Sequence, residues 1–328
     1  MIHPGLLQDR AFVSTWDTEK AGSVTKTIVM PTSSTGSYAC SVDWGDGQSD
    51  YITAYNAAAW THLYAAAGNY TVKIYGKFIG FVVNNLGDKL KLINISNWGT
   101  DFRVGVTQGS YFSGCSNLTI SATNALNTSL VTNMLGMFTN CALFNQSVAS
   151  FNTEKVINMG SMFSGCTNFN QSVSNFNTAK VTNFASMFSN CTNFNQSVTN
   201  FNTVLINNMF GMFSGCTNFN QSVANFNTAN VLTISNMFLN AAAFNQDVSA
   251  FIIAKITTAS AMFSGSGFEV TNYNKLLDSA TGWPSQATIL TNVSFSAGTA
   301  HYNGANAIAG KAVLVTTKTW TVTDGGTP

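Results

Sequence analysis

The chain has 328 residues, 45% of them hydrophobic but only 8% charged, against about 25% in an average soluble domain. Fourteen Lys and Arg against thirteen Asp and Glu leave a net charge of +1, which excludes a nucleic-acid interface built on a basic face. The 25 Phe, 9 Tyr and 6 Trp carry too much apolar surface for charge-driven disorder, and no run of about 18 apolar residues marks a membrane span.

Residues 1–10 show neither strand nor helix pattern and read as an N-terminal arm. Over 11–88 the texture is that of short strands between turns. Gly45-Asp46-Gly47 is a tight turn, and Thr71, Val72, Ile74 and Tyr75 have strand composition, a pattern that suggests a β-sandwich. The segments Val42-Asp43-Trp44-Gly45-Asp46-Gly47, His62-Leu63-Tyr64 and Gly68-Asn69-Tyr70-Thr71-Val72 resemble the PKD family, which implies a spacer or interaction domain. Asp43 and Asp46 suggest Ca²⁺ ligands, but too few carboxylates converge, and a hydrogen-bonded turn is the expectation. His62 has no zinc-ligand spacing to His3 or His301 and is expected to pack near Trp44.

The missing charge is localised. Between positions 112 and 263 only Glu154, Lys155, Lys180, Asp247 and Lys255 are charged, while 19 of the 25 Phe lie there. The stretch repeats every 25 residues. A Met-Phe pair recurs from Met137-Phe138 through Met162, Met187, Met212, Met237 and Met262. Phe144-Asn145-Gln146 recurs at Phe169, Phe194, Phe219 and Phe244, and Phe151-Asn152-Thr153 at Phe176, Phe201 and Phe226. Ile95 and Trp98 keep the spacing of Val148 and Phe151, so a degenerate coil begins near Leu90, which makes about seven coils over 89–265.

Twenty-five residues suit one coil of a strand-containing solenoid. Residues 144–148 read as its strand, with Phe144 and Val148 inward. The 131–138 spacing of Val, Met, Met and Phe reads as a helical or 3₁₀ turn. Coils stacked at ~4.8 Å would put any charge into a like-charge column, which Asn and Gln avoid by hydrogen-bonding along the stack. Phe163-Ser164-Gly165-Cys166-Thr167-Asn168-Phe169-Asn170-Gln171-Ser172-Val173 and its copies resemble the BspA-like, 25-residue leucine-rich-repeat surface proteins first noted in mycoplasma lipoproteins. The resemblance implies a leucine-rich-repeat-type solenoid and adhesion rather than catalysis, with no catalytic residues to carry over.

Residues 266–328 break the period and read as a small α+β cap, with helices at 274–279 and 303–315 and a strand at 319–323. The sandwich is expected to cap the other end, because a stack exposes an edge at each terminus. The fold class expected is therefore mainly β: a solenoid between a PKD-like sandwich and a C-terminal cap. Cys141, Cys166, Cys191 and Cys216 share one phase with Ala241 and Ser266, which marks a small-residue core slot rather than a metal or disulfide column. No nucleophile elbow, zinc motif, phosphate loop or dinucleotide fingerprint is present, and Glu154 and Asp247 lie ~18 Å apart along the stack at strand spacing, too far for a glycosidase pair.

A non-enzymatic protein without cofactor or metal is the expectation. No signal-peptide pattern opens the sequence, so the setting expected first is a phage virion surface: a capsid decoration protein, head fibre or tail fibre. Expected partners are other virion proteins, copies of itself, and a host surface protein or glycan, with no nucleic acid and no membrane insertion. A bacterial cell-surface adhesin is the alternative, and a polysaccharide-degrading enzyme a more distant one. The face expected to bind comprises Asn145, Asn170, Asn195, Asn220 and Asn245, with Lys155, Lys180 and Phe210, acting through hydrogen bonds and aromatic contacts with weak salt dependence.

Overall fold

A computed structural model describes residues 10–328, so the arm expected at 1–10 lies, apart from Arg10, outside the described residues. The protein is mainly β, with two short helices, and its large sheet is open rather than closed into a barrel. Chain order begins with β1 (Phe12–Asp17), β2 (Thr27–Val29), β3 (Thr32–Asp43), β4 (Ser49–Ile52), β5 (Thr61–Leu63) and β6 (Asn69–Phe81). Then come β7 (Leu92–Asn97), β8 (Phe102–Val104) and β9 (Thr119–Ile120). The seven-stranded sheet runs β4-β3-β6-β1-β7-β9, with β8 beside β6, while β2 and β5 form a separate pair. Strands from beyond position 88 thus complete this sheet.

Alternation builds its core. Phe12, Ser14 and Trp16 of β1 are buried, and the indole Nε1 of Trp16 donates to Ser14 Oγ at 2.8 Å, so the inward hydroxyl is satisfied. Opposite, Val72, Ile74 and Phe78 of β6 close the layer. One ion pair is fully buried: Lys91 Nζ stands 3.1 Å from Asp88. Lys91 also donates to Ser23 Oγ and to the carbonyls of Val24 and Thr27, while Asp88 accepts from Ser23 and from the Val29 amide. Every lone pair and proton has a use, which is the condition under which a buried pair is tolerated. The pair clasps the 18–30 segment to the start of β7.

From residue 83 onward, successive turns of the chain hydrogen-bond to one another. The Val83 amide donates to Tyr111 O, Phe112 to Met137 O, Phe138 to Met162 O and Phe163 to Met187 O. Parallel bridges join Asn133, Asn158, Asn183, Asn208, Thr233 and Thr258 in sequence. The direct ladder therefore falls on residues 132–140 and their copies. The strand expected at 144–148 does not form: none of its backbone groups pairs with the backbone of a neighbouring coil.

Away from the ladder, side chains join the coils. Equivalent rings stack there, with Phe169–Phe194, Phe194–Phe219 and Phe219–Phe244 lying 5.9, 5.9 and 6.0 Å apart. Asn145 Oδ1 accepts from the Asn170 amide at 2.9 Å and from Gln171 Nε2 at 3.1 Å. Buried Thr153 donates its hydroxyl to Asn177 O at 3.1 Å and accepts from the Asn177 amide at 2.7 Å. The same bonds recur from coil to coil.

Each coil turns through two left-handed residues, the second being Asn140, Gly165, Asn190, Gly215, Asn240 and Gly265 in order. Asn and Gly alternate because a Cβ on Gly215 would sit 2.3 Å from Asn190 Oδ1. The Phe side chains of the repeat point inward, Phe210 excepted. Phe138, Phe163, Phe188, Phe213, Phe238 and Phe263 stack in one column, each lying 3.7–4.2 Å from a parallel ring of the same coil, Phe144 to Phe268 in turn.

The C-terminal segment contains α1 (Val270–Leu277), β10 (Ser294–Ser296), α2 (Ala305–Ala312) and β11 (Thr321–Thr323). The first helix starts four residues before the expected 274–279, and the second passes at 313 into a five-residue π turn. A parallel bridge from Ala259 to Phe295 continues the ladder into β10, which pairs in parallel with β11.

Removing one buried charge should cost far more than removing an exposed one. Lys91→Met strands Asp88 and should lose about 3–5 kcal/mol in urea unfolding. Lys20→Met, which breaks the exposed contact to Asp17 at 3.7 Å, should change stability by at most about 1 kcal/mol.

Candidate binding surface

The ladder side presents a repeated set of outward positions. In each coil Val131 or its copy points in, position 132 points out, 133 makes the bridge and 134 points in again. The bridging Asn side chain then folds back. Asn133 Oδ1 accepts from the Leu135 amide, Asn158 from Gly160, Asn183 from Ala185 and Asn208 from Phe210, each at 2.9 Å. This turn fixes the backbone at 135, 160, 185 and 210. Phe210 is the aromatic member of that column and is 42% exposed.

Neighbouring outward positions make Phe210 part of a patch. Leu205, Val204 and Leu232 are exposed. They belong to adjoining rungs, since Leu232 N donates to Asn207 O and Asn230 Nδ2 donates to Val204 O. Ile157 and Leu130 extend the apolar character toward the first coils.

Lys155 and Lys180 occupy one column of the same side, on successive rungs, and both are exposed. Stacked like charges are destabilising. Two other charges of the repeat have partners: Lys255 donates to Asn230 Oδ1 at 2.7 Å, and Asp247 pairs with Lys275 of α1 at 3.2 Å where the column ends. Despite its partial burial, hydrogen bonds from Ser249 and Lys275 and the lysine charge hold the Asp247 carboxyl below its usual range. Among the described residues, Lys155 and Lys180 are in no ion pair.

The expected Asn column lies elsewhere on the coil. Asn145, Asn170, Asn195, Asn220 and Asn245 each spend Oδ1 on the next turn of chain, ending at the Glu269 amide. Their oxygens hold the stack together. Phe210, Lys155 and Lys180 are the members of the expected set that share the ladder side. The flanking Leu205 and Leu232 were not singled out by sequence reasoning, although the departure of Leu205 from a column otherwise holding lysine and asparagine is visible in the internal copies.

The other chemistry-bearing residues serve the fold. His62 stacks on Trp44 with centroids 4.7 Å apart, and its Nε2 lies 2.8 Å from Asp46 Oδ2. Desolvation opposes ionisation of Asp46, but this bond and the Gln48 amide outweigh it and keep the carboxyl below its usual range. Asp43 accepts from the Gly45 amide, and Asp50 from the Trp44 indole. The three carboxylates are thus used separately. Among the described residues no group of three or more His, Cys, Asp or Glu is arranged to hold a metal, and no helix is long and apolar enough to cross a membrane.

All six cysteines are buried and free. The thiols of Cys141, Cys166, Cys191 and Cys216 donate to carbonyls of the preceding coil at 2.8–3.0 Å. Burial pushes all four far above the ordinary thiol range and raises Cys40 to about 11.

These features define a mainly β repeat protein whose coils pair through one backbone ladder. Its sequence matches twice, over residues 107–205 and 197–297, the family described as "Mycoplasma protein of unknown function, DUF285". The two matches span more than half of the chain, and the protein belongs to that family. No curated protein and no solved structure matches it.

Thiol chemistry checks the core assignment. A disulfide-type thiol reagent at neutral pH should leave all six cysteines unmodified in the folded protein and label all six in denaturant without reductant. Modification of any repeat cysteine while the fold is intact would contradict a slot that suppresses the thiolate.

Proposed function

We propose that the protein is a non-catalytic adhesion module of the BspA-like type, a leucine-rich-repeat-type solenoid preceded by a PKD-like domain, which binds a protein partner on its ladder side. The 25-residue period and the continuous parallel bridges support the solenoid reading. The Trp44–His62 stack behind the Gly45-Asp46-Gly47 turn supports the PKD-like one. The observation that carries the function is the patch of Val204, Leu205, Phe210 and Leu232, with two stacked, unpaired lysines farther along the same side. An aromatic centre with an apolar surround is the composition of an interface hot spot. The lysines favour a partner that places carboxylates opposite Lys155 and Lys180, and they orient it more than they hold it.

The setting expected from the sequence is a virion surface, where partners are neighbouring virion proteins or a host receptor. A second setting is the bacterial cell surface, and the family match supports its bacterial part, because its description is of a mycoplasma protein. The ladder-side reading is the same in both.

The test is a photo-crosslinking phenylalanine analogue placed at position 210 in the native assembly. An adduct with another protein is expected from 210, and none from the exposed Leu63 of β5. Adducts from position 63 alone would sink the reading. With the partner so captured, Phe210→Ser should weaken binding about tenfold or more, leave the melting temperature within a few degrees, and retain a modest salt dependence.

A further inference from the structure

The repeat is interrupted at its first coil, and the interruption leaves a cavity. From Cys141 to Phe151 is ten steps of chain, but from Cys115 to Leu126, the matching positions, is eleven. The extra residue falls in 119–126. Between that segment and residues 144–151 of the next coil lies a pocket of about 350 Å³, within the range of small-ligand sites. Trp98, Leu126, Phe144 and Phe151 contribute its apolar wall, and Gln146 and Asn124 line it as amides. No charged residue lines it.

The amides are the informative part. In later coils the matching glutamine donates to the asparagine of the coil before it: Gln171 to Asn145, Gln196 to Asn170, Gln221 to Asn195 and Gln246 to Asn220, at 2.9–3.1 Å. Gln146 has no such acceptor. Thr119 stands where the asparagine would be, and its hydroxyl donates to Ile93 O at 3.0 Å. Gln146 Oε1 accepts from the Asn145 amide, so the side chain is oriented, and its Nε2 has no partner among the described residues. Asn124 is held the same way. Its Oδ1 accepts from the Trp98 amide at 3.1 Å, which leaves Nδ2 as a second donor without a partner there.

We propose that this pocket binds a neutral sugar residue. Two fixed amide donors suit hydroxyl and ring oxygens, and the aromatic and aliphatic wall suits the C–H face of a pyranose ring. The absence of any lining charge disfavours an acidic sugar, whose carboxylate would be desolvated without a counter-ion. The pocket occupies a different part of the coil from the ladder side, and the proposal does not rest on the protein partner inferred there.

Saturation-transfer NMR on the full chain provides the test, with N-acetylglucosamine and the methyl glycosides of glucose, galactose and mannose as probes and glucuronic acid as the charged comparison. At least one neutral probe should receive saturation and outcompete glucuronic acid. Gln146→Ala should weaken its binding about tenfold, the effect of one lost hydrogen bond to an aligned donor. Gln171→Ala, which alters the same position one coil further on, should leave binding unchanged. Ala149→Trp, at an exposed position on the rim, should fill the cavity and abolish binding while the melting temperature stays near that of the parent. Failure of all four neutral probes, preference for glucuronic acid, or equal loss in the two glutamine variants would overturn the proposal.

Discussion

The structure depends on how each coil is joined to the next. Along residues 132–140 and their copies, and again where Asn168 donates to Ala142 O, backbone meets backbone directly, while at Asn145 and Thr153 an amide or a hydroxyl stands between the turns. Stacked phenylalanines on the ladder and off it settle at 5.6–6.0 Å. Rings at that separation are offset neighbours rather than a tight face-to-face pair. The second ring of each coil fills the offset at 3.7–4.2 Å. The two columns therefore fill each other's gaps, and Phe151 and its copies make a third buried phenylalanine in each coil. A single column at this pitch would leave voids, and interiors do not tolerate voids without loss of stability.

The same spacing decides where charge is allowed. Stacked identical positions lie about 5 Å apart on the ladder side, where like charges oppose one another. A carboxamide carries both donor and acceptor and can bond up and down the column, which a lysine or an aspartate cannot. Charge returns where the column ends, as at Asp247 beside Lys275, at Lys255 beside Asn230, and at Glu154, Lys155 and Lys180, where the fold supplies no reason for it. The low overall charge is an architectural constraint, and two of the sites that break it are the lysines for which a partner is proposed.

Much of this was legible in the sequence because it is periodic. The 25-residue period, the inward phenylalanines and the small-residue cysteine slot all follow from repeated identity at one phase. The position of the ladder was not legible. Phe144-Asn145-Gln146-Ser147-Val148 alternates as a strand does, and alternation reports only which side chains are buried. It does not report whether the neighbouring coil comes within pairing distance. That distance is set by Thr153 and its copies, buried between the turns, and a threonine after Phe-Asn looks like any polar surface residue until its hydroxyl is seen both donating and accepting across the gap. The binding residues divide along the same line. Phe210 departs from the small residues of its column and is visible by comparison of copies. The Asn column looked like a surface because it is exposed, yet its oxygens are committed to the stack.

The ends of the stack differ in a way that bears on function. At the C-terminal end the ladder passes into β10 and β11 through the Ala259–Phe295 bridge, so backbone pairing is continuous. At the N-terminal end the large sheet feeds into the coils by way of β7 and β9, which pair over two residues only. The turn that follows carries one residue too many for the period. A repeat satisfies its polar side chains by handing each bond to the next copy, so a break in register leaves some first members without the bond that later copies make. Gln146 and Asn124 are polar groups released in that way. An amide left over by the geometry of a repeat is a fixed donor whose orientation costs the ligand nothing, which is the condition for selective recognition of an uncharged molecule. The two surfaces therefore differ in origin. The ladder side is proposed to bind where the repeat tolerates exposed variation, and the pocket where the repeat has not yet begun.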